Sequence, residues 1–569
     1  MLKILLIGIN SKFIHSNLAI RYLKAYTADL NYNCNILEFS INDRIERVLE
    51  EILCEKPDLV AFSCYIWNID YIKQLASLIK LIDDKIKILY GGPEVSYDSE
   101  KFLKENIGEY VIEGEGEETY REYVKTLLQY KEPLNIKGLY YKSDKGISYG
   151  GKRELMDMNK LAFPYNLKDN LENKIVYYEA SRGCPFNCKY CLSSTIHGVR
   201  FLSLERVKKD LKFLIDKKVK LIKFVDRTFN CNSKFAMSLW EYLISIDTET
   251  TFHFEISADI LNEDQLKLLA KAPKGRFQFE VGVQTTNNEV LKNINRFVAF
   301  EDIKKQVVEL NKLGNIKQHL DLIAGLPGED FQSFKKSFND LYSIGPDEIQ
   351  LGFLKLLKGS PMKEEAQKWG IVYSPYTPYE VLKTKDISYE ELLLLKRVEA
   401  MIDKYYNSQK FTSILKYFIP KFESAFDFYL SLGGFFYDKG YFSRSLSSTD
   451  YYKVFLEFNS EVLNNENAAL KEIVKFDYLK FNRKKWLPEF LERNIGKNTE
   501  RIFKEAIKNE IIEVPFINYH IEDFNIDIIK FINNGEINGG IYYLIFDENN
   551  CNNILDVTYV INKEKLLNQ

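Results

Sequence analysis

Short apolar runs alternate with amphipathic stretches twice over in the first 357 residues, and that alternation leaves few folds open. In the first pass the strand candidates are Lys3–Gly8, Asn35–Phe39, Leu59–Cys64, Ile86–Gly91 and Tyr110–Ile112. Helical patterns lie between them at Leu18–Ala28, Ile45–Lys56, Ile69–Ile82 and Glu117–Leu128. Strands that are apolar throughout are buried on both faces. The spacing therefore predicts a doubly wound, Rossmann-like α/β domain, whose ligands lie beyond the carboxyl ends of its strands. A hairpin, Gly138–Tyr149, and a linker through Pro164 close this block.

The second pass has longer helices and strand candidates Ile175–Ala180, Leu221–Asp226, Phe252–Ala258, Phe277–Gln284, His319–Ala324 and Glu348–Lys355. Six strand–helix units are fewer than the eight of a complete barrel, so a partial, open-sided TIM-like (β/α)6 barrel is expected. After Tyr373 the chain turns to long helices dense in Tyr, Phe, Leu and Lys, with a strand-like tail at Gly539–Phe546 and Ile554–Ile561. The 569 residues are too many for one core and divide into 1–150, 151–372 and a mostly helical 373–569.

Directly after the first barrel strand comes Ser181-Arg-Gly-Cys-Pro-Phe-Asn-Cys-Lys-Tyr-Cys-Leu. Cys184, Cys188 and Cys191 supply three thiolates from one loop at the barrel's carboxyl end, where barrel chemistry is found. Structural zinc and ordinary iron–sulfur clusters take four protein ligands. Three cysteines on a four-iron cluster leave one iron open to an outside ligand. A zinc clip is the rival, with Cys231 or His197 as fourth ligand, but zinc sites normally arrive as paired Cys-x-x-Cys knuckles.

The run resembles the Cys-x3-Cys-x-aromatic-Cys motif of the radical S-adenosylmethionine (SAM) superfamily, and the likeness extends through most of residues 175–360. The segment Val281-Gly-Val-Gln-Thr-Thr…Asn295-Arg296 is similar to the family's SAM-binding fourth segment, and Asp321-Leu-Ile-Ala-Gly-Leu-Pro-Gly-Glu329 to its fifth strand. The resemblance implies that Gln284, Arg296 and Asp321 hold the methionine and ribose of SAM, with Glu255 as an addition and the backbone of Tyr190 against the adenine. Arginine can pair bidentately with a carboxylate, and aspartate can accept from ribose hydroxyls. Taken singly, Gln284 and Asp321 could simply close hydrogen bonds at the barrel top, and Arg296 could be a solvated helix charge. The implied chemistry is reductive cleavage of SAM at a [4Fe–4S] cluster to a 5′-deoxyadenosyl radical, with electrons from a flavodoxin- or ferredoxin-type donor. Asp226 and Arg227 end the second barrel strand and stand evenly between touching SAM or substrate and forming an ion pair that caps the strand.

A doubly wound domain ahead of this barrel resembles the cobalamin (B12)-binding class of the superfamily. Ser63 after the third strand, Gly91-Gly92-Pro93 after the fourth and Glu113-Gly114-Glu-Gly-Glu117 after the fifth carry that likeness. Glycines at strand ends let backbone approach a flat, bulky cofactor. The class's Asp-x-His-x-x-Gly loop, whose histidine ligates cobalt, is absent after the first strand. His15 stands in that loop without the Asp and Gly and reads as a hydrogen-bonder at a helix start. The class implies methylation or another transformation of an unactivated carbon, one SAM furnishing methyl through cobalamin and a second the radical. The segment Phe476–Pro488 resembles the uncharacterised DUF4080-like extension of one bacterial branch, and its run Arg483-Lys484-Lys485 reads as a solvated face.

Two further readings stay open. A tRNA methylthiotransferase would need a second three-cysteine cluster, for which Cys34, Cys54 and Cys64 are the only candidates upstream. A non-catalytic iron–sulfur or cobalamin redox carrier would need no SAM site. A net charge of −3 and a pI near 6.2 offer no electrostatic case for nucleic acid or a membrane surface. The amino terminus reads as a short strand and no apolar run is long enough to span a bilayer. A poised thiol triplet wants a reducing compartment, so a cytoplasmic protein acting on a small-molecule or peptide substrate is expected.

Overall fold

Alternate residues of the first strand, β1 (Lys3–Asn10), enter two separate apolar cores. Leu5, Ile7 and Ile9 pack on one face of the sheet, Ile4 and Leu6 on the other. β1 lies between parallel neighbours β2 (Asn33–Ser40) and β3 (Leu59–Ser63), and β4 (Lys87–Gly91) and β5 (Tyr110–Ile112) follow in parallel. The antiparallel hairpin β6 (Leu139–Ser143) and β7 (Gly146–Tyr149) completes the order β2-β1-β3-β4-β5-β6-β7. Helices Ile45–Cys54 and Ile69–Ile82 cover one face, Leu18–Tyr26 and Glu117–Leu128 the other. Winding reverses between β1 and β3, which makes their carboxyl ends the switch point for a ligand.

The computed structural model describes residues 1–196, 198–465, 467–482, 487–493 and 495–559. His197, the Arg483-Lys484-Lys485 run and the end of the expected strand Ile554–Ile561 lie outside the described residues. The chain forms two units, Met1–Ser337 with Leu351–Tyr389, and Phe338–Gln350 with Glu390–Gln569.

β8 (Ile175–Tyr178) opens the second sheet. The short ribbon strands β9 (Ser181–Cys184) and β10 (Gly198–Phe201) follow it, then β11 (Leu221–Phe224), β12 (Thr251–Ile256), β13 (Phe277–Gln284), β14 (Lys317–Ala324) and β15 (Glu348–Phe353). The sheet runs β15-β14-β13-β12-β11-β8 and the ribbon pairs separately, so this is a six-stranded open barrel. Phe252, Phe254, Phe277, Phe279 and Val281 are fully buried, while the alternate positions His253, Glu255, Gln278 and Glu280 carry polar groups. An ordinary barrel fills its interior with branched apolar side chains; this one has a charged layer. Small strands β16 (Val372–Tyr373) and β17 (Val381–Lys383) pair antiparallel after it.

The second unit buries Phe426, Phe428, Tyr429, Phe455 and Phe458 completely, in edge-to-face contacts between helices Ala425–Asp438 and Asp450–Glu461 and their neighbours. Its aromatic density is core packing. It ends in an antiparallel sheet of β18 (Tyr519–Ile526), β19 (Gly539–Asp547) and β20 (Ile554–Asp556). The periodicity gave no hint of β18, whose centre, Glu522-Asp523, places two acids in the interior. Lys475 donates to the Asp523 backbone carbonyl at 2.7 Å, and His520 Nε2 lies 3.1 Å from Glu522.

Candidate active site

Cys184 ends β9, and the excursion that returns as β10 carries Cys188 and Cys191. Gly183 makes the ribbon possible. Its φ is +100°, and a Cβ there would lie 2.0 Å from the Gly198 carbonyl oxygen. The Lys189 amide donates to the Ile294 carbonyl at 3.0 Å, and Asn295 Nδ2 to the Asn187 carbonyl at 2.8 Å. The cysteine loop is thereby tied to the segment leading to Arg296. Ser193 N donates to Cys191 Sγ at 3.4 Å, and Thr228 Oγ1 lies 3.5 Å from Cys184 Sγ. Burial pushes the Cys188 thiol up, opposed by the adjoining Arg296 guanidinium, and the other two thiols add to the upward push.

Three neighbouring thiols on one loop suit a multi-iron body, in which each thiolate takes a different iron. Among the described residues no three His, Cys, Asp or Glu groups close round a single ion. Cys231 is a further thiol near Cys184, and burial raises it to about 11.

Across the barrel top, three buried polar atoms have no partner within the protein: Gln284 Oε1, Arg296 Nε and Asp321 Oδ1. Buried polar atoms without partners are rare in folded proteins and call for a ligand or water. Gln284 holds a left-handed φ of +72° at a bulge, where Gly282 pairs Asp321 and Gln284 pairs Leu322. Strained backbone of this kind gathers at functional sites. Arg296 Nη2 donates to the Gly282 carbonyl at 2.5 Å. Tyr190, beside Arg296 and the thiols of Cys188 and Cys191, has its phenol pushed far up by burial. Burial, then Glu280 and Glu255, push the Asp321 carboxyl well up. Burial likewise raises Glu255, against the pull of Arg227. Below them Glu280 accepts from Lys223 Nζ at 3.0 Å and lies 2.9 Å from His253 Nε2. Acceptor and donor groups unsatisfied at the barrel top fit the polar methionine and ribose of SAM.

Glu329 supports this edge from behind. Fully buried, it accepts from Thr285 Oγ1 at 2.5 Å and Ser337 Oγ at 3.2 Å, and burial raises its carboxyl from 4.5 to about 8. The folded chain keeps a proton that the unfolded chain loses, so this group lowers stability as pH rises from about 4.5 to about 8. Glu329→Gln retains the acceptor and has no proton to lose. Its thermal midpoint should therefore rise relative to the parent as pH increases through that window and level off above it. Midpoints at pH 5.5, 7 and 8.5 check this; a difference independent of pH would contradict it.

The loops after β4 and β5 dock on the same end of the barrel. Lys358 reaches Glu94 at 3.2 Å and Asp98 at 3.1 Å, and Tyr379 Oη donates to Glu94. Tyr97 Oη lies 2.9 Å from Thr195 Oγ1, four residues past Cys191. Arg182 and Arg200 of the ribbon pair with Glu115 and Glu117. Gly92 has φ +112°, and its missing Cβ would meet the Cys64 carbonyl at 2.5 Å; Gly114, at φ +70°, faces open space. Gly91 carries the carbonyl that receives Cys64 N, and Ser63 is buried with its carbonyl accepting from Asn68. Glu113 accepts from Tyr149 Oη. Glycine backbone at two strand ends, one of them fronting free space, fits a bulky planar cofactor.

Some expectations change. His15 does not start a helix: Asn17 caps Leu18–Tyr26 through Ile20 N, while His15 Nδ1 lies 2.7 Å from Tyr177 Oη. The loop runs beside the barrel, where the Ile14 carbonyl accepts from Ile175 N at 2.8 Å, and this docking engages one ring nitrogen of His15. Asp226 neither pairs with Arg227 nor reaches outward. It accepts from Ala180 N at 3.0 Å and from Ser181 Oγ, and burial raises it to about 7. Arg227 instead faces Glu255, Cys191 and Cys184, which outweigh the cost of desolvating its charge. Cys34 and Cys64 pack into the cores on opposite faces of the first sheet, so they cannot share a cluster. The ribbon arginines escaped sequence reading altogether; only their flanking of a cysteine loop could have drawn notice.

Three family models match this chain: the B12 binding domain over residues 4–124, the radical SAM superfamily over 178–341, and a protein of unknown function (DUF4080) over 367–546. An uncharacterized methyltransferase of Pyrococcus horikoshii is 25% identical over 359 residues, covering 60% of this chain and 77% of that one. The cobalamin-dependent radical SAM methyltransferase TokK of Streptomyces tokunonensis is 24% identical over 371 residues, covering 61% of this chain but only 54% of its own length. The solved structure of the cobalamin-dependent SAM radical enzyme OxsB, with aqua-cobalamin and SAM bound, shares the fold at a TM-score of 0.58. It is 15% identical and the match covers 90% of this chain and 82% of that one. Its cysteine ribbon, unsatisfied barrel-top groups and glycine-edged first sheet thus lie in a chain that carries a radical SAM domain, preceded by a B12 binding domain and followed by a DUF4080 domain.

Proposed function

We propose that this protein methylates an unactivated carbon of a small-molecule or peptide substrate, using a [4Fe–4S] cluster, SAM and cobalamin. The observation that carries the reading is the docking of the loops after β4 and β5 onto the barrel end that bears the cysteine ribbon. That brings the ligand edge of the first sheet to the place where SAM would be cleaved. The names of the relatives, TokK among them, point to the same outcome.

Bound, the cofactors supply an electron to the sulfonium and a carrier for methyl; per product, two SAM and two electrons give S-adenosylhomocysteine, 5′-deoxyadenosine, methionine and the methylated carbon. The substrate hydrogen ends on 5′-deoxyadenosine. The chain's own residues hold and orient. Cys184, Cys188 and Cys191 would hold three irons and would leave the fourth for SAM's amino and carboxylate groups. Gln284 and Arg296 would fix the methionine end, Asp321 the ribose, the Tyr190 backbone the adenine, with Glu255 beneath. Ser63, Gly91, Gly92, Glu113 and Gly114 would line cobalamin. Cobalt would be left without a protein imidazole on this reading, because His15 lacks the flanking Asp and Gly of the cobalt-ligating loop. Domains of 1–150, 151–372 and 373–569, a flavodoxin- or ferredoxin-type donor and a reducing cytoplasm complete the proposal.

Anaerobic reconstitution with iron, sulfide and cobalamin, a chemical reductant and SAM tests it. Both S-adenosylhomocysteine and 5′-deoxyadenosine should form, and the first should vanish when cobalamin is left out. Neither nucleoside, from protein with an intact cluster, would leave only a redox carrier.

A further inference from the structure

Arg182 and Arg200 face each other across the antiparallel ribbon, two guanidinium groups in direct cross-strand register. Like charges so placed repel. Three carboxylates resolve the repulsion, and two of them belong to the other domain. Arg182 reaches Glu117 at 2.5 Å, Glu179 at 3.0 Å and Glu115 at 3.7 Å. Arg200 grips both oxygens of Glu115, one of them at 3.1 Å, and donates to the Met156 carbonyl at 2.7 Å. Side-chain exposures in the group run from 7% for Glu117 to 25% for Arg200.

Ion pairs withdrawn from water this far seldom stabilise more than apolar side chains of the same volume would; the best-attested use of such pairs is to fix register. Stability has other sources here, since the first sheet and the barrel each have a large apolar interior. What the five charges do is define, through forked hydrogen bonds, where one strand-end loop lies against one ribbon. The loop is Glu113–Glu117. The ribbon ends in Cys184, two residues past Arg182, and Gly183 leaves it no slack.

We infer that Arg182 and Arg200 are positioning residues that set the separation between the cobalamin edge of the first domain and the cluster ribbon of the barrel. The inference rests on the function proposed above. Methyl passing between SAM and cobalamin needs the reacting atoms in near-attack contact, where a misplacement of about 1 Å costs about 100-fold. Cleavage of SAM to 5′-deoxyadenosine needs only groups carried by the barrel. The arginines therefore govern one of the two fates of SAM and leave the other alone.

Arg182→Gln, Arg182→Lys and Arg200→Gln, made in the full chain and reconstituted with cluster and cobalamin, test this. Iron content, cobalamin retained on desalting and the 5′-deoxyadenosine rate should stay within about twofold of the parent, while S-adenosylhomocysteine formation falls at least about 10-fold. Arg182→Lys should recover little, since one ammonium cannot serve three carboxylates. Hydrogen exchange, read without turnover, should quicken in 113–117 and 181–184 and stay unchanged in β1 and β13. Should Arg182→Gln fail to fold, the more exposed Arg200→Gln gives the same readout. Both nucleosides falling in proportion, or neither falling, would overturn the inference while the proposed function stands. A parent chain that retains no cobalamin would overturn both.

Discussion

Alanine at any one of Cys184, Cys188 or Cys191 should take SAM cleavage to background and iron from about four per chain to well below that, with the protein still expressed and folded. The reasoning is one of ligand count. The loop offers three thiolates, the open iron must remain for SAM, and losing one of three leaves two irons without protein ligands. Folding should survive, because the cysteines sit on an excursion outside the six-stranded sheet. Cys231→Ser is the informative control. This residue neighbours Cys184, and a closed four-thiolate centre would recruit it. In the present account the variant keeps its iron and its 5′-deoxyadenosine rate. Iron analysis and chromatography of the nucleosides decide both cases; cleavage that persists in Cys188→Ala would refute the ligand set.

Gly183→Ala should be nearly as damaging without touching a ligand. A left-handed conformation costs a residue bearing a Cβ about 1–2 kcal/mol, which the domain could absorb. The contact is the larger obstacle. The new methyl would stand 2.0 Å from the Gly198 carbonyl oxygen, a backbone atom that cannot rotate aside. Relief requires β9 and β10 to separate, which moves Cys184 away from Cys188 and Cys191 and pulls Arg182 off Glu117. We expect most of the iron to be lost on reconstitution, with the far-ultraviolet circular dichroism unchanged. Gly198→Ala, with open space at that position, should keep its cluster far better. Equal iron in the two variants would contradict the assignment.

How far the amino-acid sequence reveals this molecule differs by region. β13 and β5 were legible to the residue, and the other strands of both sheets to within a few, because apolar runs bounded by glycine or charge have little choice in a parallel sheet. The ribbon β9–β10 was not, since Ser181-Arg-Gly-Cys alternates nothing apolar and is held by Gly183 and by arginines paired to a distant loop. β18 was missed for a related reason: two acids at its centre break the apolar pattern, and the cations beside them, Lys475 and Arg493, are remote in sequence. The cysteine triplet could be read from spacing alone. Gln284, Arg296 and Asp321 could be singled out only by likeness to a family, and it is geometry that leaves each with a buried atom lacking a partner. Asp226 and Arg227 illustrate the limit. Adjacent in sequence and opposite in charge, they suggest a pair, yet each is engaged by groups from other strands.

The central claim is an iron centre that the polypeptide leaves one ligand short, so that SAM can complete it. Mössbauer and electron paramagnetic resonance spectra of the anaerobically reconstituted chain, with and without SAM, test it most directly. About four irons per chain should be found, one of them distinct from the rest and altered when SAM is added. Four irons of one kind that ignore SAM, or zinc in their place, would contradict the account.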